Sequence, residues 1–308
     1  MHGWLLRRAI LNSGTYGGGS NMPAEKKAVV VTGATSGIGL AVCELLIKKD
    51  FCVLAVGRCT EHCESAKKAL LAQYPEASLA CFFGDLVQQR EVLRVADEIG
   101  TYLDERCNGC LWGLVNNAGC VRSWYMTSEE GYEQQFALNH LAGFLLAHRL
   151  LAYLKAAKGR VLFTSSQSHK HIKMRWHDPM FQKRYHPLLT YKQSKLCNLL
   201  TALSLNRQFG HEGIAAYCVD PGLVNTAIGN KQTGRLVGFV WKIRRRHGLA
   251  PEVAARTYGY LLQNSECPDG LYFGNCLPKP YSSQVNRSNA DRLFALSQAL
   301  CNIVREEV

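Results

Sequence analysis

The sequence lacks any apolar run long enough to cross a membrane. A spanning helix needs about 20 predominantly apolar residues, whereas the apolar run near the N-terminus is only Trp4-Leu5-Leu6. No small-residue cleavage site follows a hydrophobic segment, so a secretory signal is not indicated. We expect residues 1–26 to form a flexible tail and the protein to be cytoplasmic. Organelle targeting by residues 1–21, which carry Arg7 and Arg8 and no acid, is the less favoured alternative.

The cysteines and histidines do not form the pattern of a disulfide framework or of a zinc site. The thirteen cysteines are an odd number, scattered through apparent helix and strand interiors, which is typical of reduced, buried thiols. Cys107 and Cys110 have C-x-x-C spacing, but no second Cys or His pair at zinc-ligand spacing accompanies them. We therefore expect no metal. Four histidines without H-x-x-x-H spacing are interpreted as solvated loop residues: His169, His171, His177 and His186.

Acidic residues are scarce relative to basic ones. The chain has 24 Asp and Glu against 36 Lys and Arg, a formal net charge of +12. Such a surplus favours anionic partners, which include nucleotide phosphates, an acidic membrane surface and nucleic acid. Nucleic-acid binding rests only on this charge and on Arg244-Arg245-Arg246, so we expect no nucleic-acid partner.

Apolar runs alternate with amphipathic segments along the chain. The run at residues 28–31 predicts a strand buried on both faces, and the amphipathic segment at 40–49 predicts a helix. This alternation continues at the spacing of βαβ units, which indicates a parallel sheet. The predicted fold class is α/β, with a single doubly wound parallel sheet, helices on both faces, and one domain at residues 27–308. The other predicted strands lie at residues 51–56, 78–83, 111–115, 160–164 and 214–219.

A glycine-rich loop joins the first predicted strand to the first helix. The segment Thr32–Gly39 has the spacing G-x-x-x-G-x-G in the strand-loop-helix context of a dinucleotide-binding fingerprint. Glycines let the backbone turn tightly and approach a pyrophosphate, whose charge is met by the helix N-terminus. We therefore predict that this loop binds the cofactor through Gly33, Thr35, Ser36, Gly37, Ile38 and Gly39.

The end of the second predicted strand lacks an acidic residue. In folds of this type an acid at that position binds the ribose hydroxyls of NAD, but here the strand ends in Gly57-Arg58. A guanidinium suits the 2′-phosphate of NADP. We therefore predict NADP (as NADPH) as the cofactor and Arg58 as one of its ligands; a solvated loop arginine is the alternative.

Small polar segments follow the other predicted strands. The carboxyl ends of parallel strands share one edge of the sheet, and open α/β folds bind their ligands there. We therefore expect these segments to line the cofactor cleft. They are Gly84-Asp85-Leu86, Asn116-Asn117-Ala118-Gly119, Ser165-Ser166 and Asp220–Thr226.

A tyrosine and a lysine stand four residues apart in a predicted helix, as Tyr191 and Lys195. Residues i and i+4 lie on one face of a helix, so the phenol and the ammonium can reach one site. A fixed positive charge nearby favours the phenolate, which makes proton transfer useful at neutral pH. The spacing alone is weak evidence, because many surface helices carry such a pair by chance. Its position after the segments described above gives it weight.

With these motifs in this order, the chain resembles the short-chain dehydrogenase/reductase superfamily over about residues 27–300, which implies a Rossmann fold. It is most similar to the branch of the retinol dehydrogenases and the WW-domain oxidoreductase, through Leu138–Phe144, Tyr191–Asn198 and Gly270–Phe273. The resemblance implies an NADP-dependent oxidoreductase that transfers a hydride between NADP(H) and a carbonyl or alcohol group. The substrate would be lipophilic (retinoid-, steroid- or lipid-like) or a small carbonyl compound. The alternative is an NADP-binding regulatory or scaffold protein without turnover.

The resemblance also implies catalytic roles. Tyr191 would give its proton to the substrate oxygen, and Lys195 would assist it and hold the nicotinamide ribose. Ser166, rather than its neighbour Ser165, would donate a hydrogen bond to the same oxygen, and Asn139 would position a water for the proton relay.

Further residues would contact the cofactor. Asn116 would line it, Asp85 would contact the adenine, and Thr226 would bind the nicotinamide carboxamide. Beyond the glycine loop and Arg58, the implied contacts are Asp85, Leu86, Asn117, Ala118, Gly119, Tyr191, Lys195, Pro221, Gly222, Val224 and Thr226.

The resemblance places a variable substrate lid at about residues 227–248. Within it, residues 235–246 mix apolar and basic side chains, so they could close over a lipophilic carbonyl or rest on an acidic membrane surface. A packed helix with a solvated basic end is an equally favoured interpretation. Dimers through the helix that bears the tyrosine are common in the superfamily, whereas this branch also includes monomers.

Overall fold

The computed structural model describes residues 26–224, 249–264 and 266–303. Thr226, the predicted lid at 227–248 and most of the predicted tail lie outside these residues. The strands are β1 (Ala28–Thr32), β2 (Cys52–Gly57), β3 (Leu79–Phe83), β4 (Gly113–Asn116), β5 (Arg160–Thr164), β6 (Ala215–Val219), β7 (Tyr272–Gly274) and β8 (Leu277–Pro278).

These strands form one sheet in the order β3-β2-β1-β4-β5-β6-β7-β8. All neighbours are parallel except β7 and β8. The six predicted strands are all present, with ends that differ by one or two residues, whereas the short strands β7 and β8 were not predicted. Because β1 lies between β2 and β4, the chain reverses its direction of travel across the sheet there. Ligands bind outside the carboxyl ends of the strands at such a point.

Helices cover both faces of the sheet, as predicted. Successive side chains of a strand point to opposite faces, and accordingly Ala28 and Val30 belong to one hydrophobic core while Val29 and Val31 belong to another. The helices are α1 (Gly37–Lys48), α2 (Thr60–Gln73), α3 (Gln89–Arg106), α4 (Gln134–Phe136), α5 (Ala142–Arg149), α6 (Leu151–Ala157), α7 (Pro187–Phe209), α8 (Pro251–Gln263) and α9 (Arg287–Leu300).

Helix α7 carries Tyr191 and Lys195 and begins four residues before the tyrosine. Pro187 occupies its first turn, where a missing N–H costs nothing. The Nδ1 atom of His186 accepts a hydrogen bond from the main-chain N of Leu189 at 3.3 Å and so caps the helix. The pair is therefore placed near a well-defined helix start.

The C-terminal helix α9 packs over α7 and over the segment that precedes α5. The hydroxyl of Ser204 in α7 donates to the main-chain oxygen of Ala290 in α9 at 3.1 Å. The ring of His140 bonds to the hydroxyl of Ser297 at 2.8 Å. Leu293 of α9 is almost completely buried. Helix α7 is thus enclosed between the sheet and α9, which explains why most of its residues are buried.

All thirteen cysteines are free, as predicted, and most of them are buried. Among the described residues, no helix combines the length and apolarity that a bilayer crossing requires.

Candidate active site

The glycine loop after β1 adopts a conformation that depends on glycine. Gly33 and Gly37 have φ angles of 66° and 55°, in the left-handed region that side chains disfavour. A Cβ atom at Gly39 would collide with the main-chain oxygen of Gly33. Gly39 therefore allows α1 to start directly against the loop, as a close-packing glycine should.

The N-terminus of α1 is available to an anion. Ser36 occupies the N-cap position but its side chain makes no capping hydrogen bond, and the first turn of α1 contains no acid. The first N–H groups of a helix have no partner within the helix and carry partial positive charge. This arrangement fits a pyrophosphate group.

A cavity of about 170 Å³ lies over this helix start. It is bordered by residues that follow β1, β2, β3 and β4, which is where the strand order predicts a ligand. The predicted cofactor residues that line it are Gly33, Thr35, Ser36, Gly37, Ile38, Arg58, Asp85, Leu86, Asn117, Ala118 and Gly119.

Arg58 lies at the rim of this cavity, directly after β2. Its side chain is exposed, and within the described parts of the chain it makes no ion pair with a carboxylate. No acid occupies the strand end beside it, so no carboxylate there would pair with the guanidinium or repel a phosphate. The position suits a phosphate.

Seven residues that line the cavity were not among the predicted cofactor contacts, although one of them, Gly84, belongs to a segment that we expected to line the cleft. Val56 and Gly57 precede Arg58 on β2, so the strand-end rule extended inward by two residues would have found them. Gly84, Val87 and Cys120 directly adjoin predicted contacts in the sequence. For Arg122 and Leu138 no local signal in the sequence shows that the chain returns to the cavity.

The end of β4 is fixed to the end of β1. The hydroxyl of Thr32 accepts hydrogen bonds from the main-chain N atoms of Asn117 and Ala118, both at 3.0 Å. The side chain of Asn117 donates to the main-chain oxygen of Thr32 at 3.1 Å. We expected Asn116 to line the cavity, and this prediction is wrong. Its side chain is buried on the other side of the strand, close enough to Gly143 that a Cβ there would lie 3.0 Å from its Cγ.

Lys195 is buried beneath the end of β5. Its Nζ atom donates to the main-chain oxygen of Thr164 at 2.9 Å and lies 5.5 Å from the centre of the Tyr191 ring. Burial lowers the pKa of Lys195 to about 8, because a low-dielectric site disfavours the ammonium. At neutral pH the group remains mostly charged, so a cation stands beside the phenol as predicted.

This ammonium lies close to the wall of the cavity, although Lys195 itself is not among the lining residues. A Cβ built on Gly119, which lines the cavity, would lie 3.7 Å from Nζ of Lys195 and 3.1 Å from Oδ1 of Asn139. The structure thus brings Lys195 and Asn139, and with Lys195 the ring of Tyr191, close to the Gly119 side of the cavity, although none of the three lines it.

Asn139 lies in a π-helical turn, Ala137–Leu141, between α4 and α5. Such turns are frequent at functional sites. Its Nδ2 donates to the main-chain oxygen of Cys120 and to the hydroxyl of Ser194, both at 3.0 Å, and its Oδ1 accepts from the N of Cys120 at 2.7 Å. The side chain is therefore committed to bonds inside the protein.

The two serines after β5 have different surroundings. Ser165 is 1% exposed, and its hydroxyl donates to the main-chain oxygen of Lys195 at 3.0 Å. Ser166 is partly exposed, and its Oγ accepts from the main-chain N of Ser168 at 3.3 Å. Of the two hydroxyls, only that of Ser166 can still donate its proton to another acceptor. This favours Ser166 over Ser165 as the hydrogen-bond donor to a substrate oxygen.

The segment after β6 is held by a buried acid. Asp220 is 4% exposed; one of its carboxylate oxygens accepts from the N of Gly222 at 3.0 Å and the other lies 3.1 Å from Nζ of Lys279. Pro221, Gly222 and Val224 are not among the residues that line the cavity. Their predicted cofactor contacts, like that of Thr226, stay predictions.

One of the four loop histidines is not solvated, contrary to our expectation. His169 is fully buried, whereas His171, His177 and His186 are exposed. Its two ring nitrogens both have main-chain partners, at Ser166 and at Ser282. The periodicity of the segment gives no indication of this, because its neighbours in sequence are polar and exposed.

Comparison with known proteins agrees with this geometry. The family model of the short chain dehydrogenases matches residues 27–235. The chain belongs to this family. Mouse retinol dehydrogenase 12 is 32% identical to this short-chain dehydrogenase, over 92% of the chain and 89% of the relative.

Solved structures show the same fold. A crystal structure of an uncharacterized protein from Mycobacterium paratuberculosis matches this short-chain dehydrogenase with a TM-score of 0.71 and 26% identity, covering 90% of this chain and 94% of the other. An NADPH-bound carbonyl reductase from chicken fatty liver matches with a TM-score of 0.62 and 20% identity, covering 83% and 99%. The predicted Rossmann fold and similarity to retinol dehydrogenases are thus confirmed.

Proposed function

We propose that this short-chain dehydrogenase transfers a hydride between NADP(H) and a carbonyl or alcohol group of a lipophilic small molecule. The observation that carries the choice of cofactor is Arg58 at the rim of the cavity, at a strand end without an acid. The arginine would pair with the 2′-phosphate of NADP through charge-assisted hydrogen bonds. NAD would gain nothing from it and would miss the acid that its ribose hydroxyls prefer.

The glycine loop and the helix start would hold the pyrophosphate. The uncapped N–H groups at the start of α1 supply donors, and Gly37 leaves room for close approach of the backbone. Asp85 and Leu86 would border the adenine, as the cavity lining suggests. Lys195 would contact the nicotinamide ribose from the far end of the cavity. When bound, NADPH supplies the hydride.

Proton transfer to the substrate oxygen would fall to Tyr191. The Lys195 ammonium stabilises the phenolate that remains after the proton has left. The hydroxyl of Ser166, whose Oγ already accepts from an amide, would donate its proton to a hydrogen bond with the same oxygen. Since the side chain of Asn139 is committed to Cys120 and Ser194, a relay water would have to bind its main-chain carbonyl.

A lipophilic substrate is favoured by the surface beside the site and by the relatives. Trp124 follows β4 and Leu223 follows β6, so both come after the carboxyl ends of strands, and their side chains are 49% and 50% exposed. Exposed large apolar side chains near a site suit an apolar ligand. Retinol dehydrogenase 12 is named for an alcohol of this class.

The test combines cofactor titration with turnover. NADPH and NADH binding is measured by fluorescence for the wild type, for Arg58→Ala and for Arg106→Ala, an exposed arginine remote from the cavity. We expect Arg58→Ala to weaken NADPH binding about 10- to 100-fold, the size of one charge-assisted interaction, and to leave NADH binding unchanged. Arg106→Ala should change neither.

Turnover is followed as NADPH oxidation with all-trans-retinal and a panel of lipophilic ketones and aldehydes as probes. Tyr191→Phe removes the proton donor but retains the ring, so it should abolish turnover while NADPH still binds. Undiminished turnover in Tyr191→Phe would refute the catalytic assignment. NADPH binding without turnover of any probe by the wild type would instead favour a scaffold protein.

A further inference from the structure

His169 occupies a position between two main-chain groups that fixes its chemical state. Its Nδ1 lies 2.6 Å from the main-chain oxygen of Ser166, and its Nε2 lies 3.3 Å from the main-chain N of Ser282. A carbonyl oxygen can only accept a hydrogen bond and an amide N–H can only donate one. The ring must therefore carry its proton on Nδ1 and a lone pair on Nε2. It is neutral and restricted to one tautomer.

The surroundings of the ring favour the same state. His169 is fully buried, and its ring meets that of Tyr272 edge to face with the centres 4.9 Å apart. Burial lowers the pKa of His169, because the imidazolium loses its hydration. Protonation would also place a second donor against the N–H of Ser282.

This bridge connects the serine of the active site to a distant part of the chain. The main-chain oxygen of Ser166 accepts from Nδ1 of His169 and also from the main-chain N of His169 at 3.1 Å. Ser282, on the other side of the ring, lies 113 positions further along the chain, in the segment after β8. The carbonyl of Ser166 is thus held by two hydrogen bonds from His169, whose ring is in turn held by Ser282.

The position of the hydroxyl depends on that of the carbonyl. Ser166 caps the 3₁₀ turn Gln167–His171, with its Oγ accepting from the N of Ser168. Rotation of the peptide unit after Ser166 would break this bond and allow Oγ to take other rotamers. A donor that must meet an oxygen at hydrogen-bond distance in the transition state loses most of its effect when it is not held there.

We propose that His169 is a positioning residue, which holds the Ser166 hydroxyl toward the substrate oxygen through the hydrogen bond from its Nδ1 to the Ser166 carbonyl. The proposal rests on the role of Ser166 in the proposed function. A misplaced Ser166 still allows the substrate to bind and weakens only the interaction made in the transition state. The loss is therefore expected in kcat and not in KM.

Two polar substitutions separate positioning from mere space filling. The amide N of Asn in His169→Asn can take the place of Nδ1 and keep the bond to Ser166. In His169→Gln the longer side chain reaches the place of Nε2 instead, so the bond to Ser166 is lost. The control is His171→Gln, in the same turn but exposed.

Turnover of all-trans-retinal with NADPH is the first readout. We expect His169→Gln to lower kcat about 10-fold or more, short of the roughly 100- to 1000-fold loss that follows removal of an oxyanion donor itself. KM should change less than about 3-fold. His169→Asn and His171→Gln should stay within about 3-fold of the wild type in kcat. Equal kcat in the Asn and Gln variants, whether high or low, would overturn the proposal.

Hydrogen exchange of the peptide that spans residues 166–171 is the second readout and needs no substrate. His169→Gln should exchange faster there than the wild type, with His169→Asn close to the wild type and a peptide from α1 as the internal reference. If the wild type turns over no probe, the proposed function fails on that ground. The exchange data then decide for His169 alone: no acceleration in His169→Gln would overturn its positioning role.

Discussion

Replacing Lys195 with methionine should stabilise the protein while it disables the site. Burial lowers the pKa of Lys195 from 10.5 to about 8, a difference of about 2.5 pH units. At about 1.4 kcal/mol per unit, keeping this ammonium charged at pH 7 destabilises the native state relative to the unfolded chain by roughly 3 kcal/mol. Methionine has a similar length and no charge. The main-chain oxygen of Thr164 also keeps a partner, because Nδ2 of Asn198 donates to it at 3.1 Å.

We therefore expect Lys195→Met to raise the free energy of unfolding by about 1–3 kcal/mol at pH 7, measured by urea denaturation without cofactor. The unfolded chain holds this proton up to pH 10.5 while the native protein releases it near pH 8. The gain should therefore be complete below pH 8 and should fade as the pH approaches 10.5. Few substitutions outside an active site would show this pH dependence.

The same substitution should slow catalysis. With 5.5 Å between Nζ and the ring centre of Tyr191, Coulomb's law at an effective dielectric constant of about 20 gives roughly 3 kcal/mol of phenolate stabilisation. Its loss corresponds to a decrease in kcat of about 100-fold or more. NADPH oxidation with the best probe substrate measures this.

The control for both effects is Lys192→Met on the same helix, where the side chain is partly exposed. It should change the free energy of unfolding by less than about 0.5 kcal/mol and leave kcat unaffected. A Lys195→Met protein that is less stable than the wild type at pH 7 would refute the view that this ammonium is held charged at the expense of stability.

Two further substitutions test the cofactor loop and a buried acid. Gly39→Ala places a Cβ against the oxygen of Gly33 and should lower NADPH affinity at least about 10-fold. The control is Gly210→Ala, where the space around the glycine is open and the affinity should not change. Equal NADPH affinities of the two variants would contradict the packing argument. Burial raises the pKa of Glu133 to about 7, so the native state disfavours its charge, and Glu133→Gln should add about 1–3 kcal/mol at pH 8. That gain should shrink as the pH falls through 7 and vanish only below about pH 4, where both states hold the proton. A gain independent of pH would point to packing instead.

The fold could be predicted because its signals are local. A strand buried on both faces, such as β1, is a continuous apolar run, and the order of strands and helices then restricts the topology. The strands β7 and β8 escaped prediction for the same reason. β7 is the three residues Tyr272–Gly274, and β8 is the two residues Leu277–Pro278. Runs this short show no periodicity in the sequence, and they form strands because they pair with β6 and with each other.

The positions of candidate site residues could be predicted where the proposed function depends on a residue type at a strand end or a helix start. Arg58, the glycine loop and the Tyr191–Lys195 pair belong to this group. The contacts that hold these segments in place could not be predicted, because they join distant positions in the sequence. Lys279 and Asp220, for example, are 59 residues apart. His169 shows the limit most clearly. In sequence it stands among exposed polar residues, and only the folded chain reveals that its ring is enclosed.

The C-terminal helix bears on how two copies of this protein could associate. Helix α9 covers one face of α7, with Arg207 of α7 paired to Asp291 at 2.6 Å, and Phe294 of α9 packs on Phe144 of α5 with ring centres 5.1 Å apart. A second copy could reach that face only by displacing these contacts. Pairing through this face of α7 would therefore compete with α9, which belongs to the same chain and so is held at a high effective concentration beside α7.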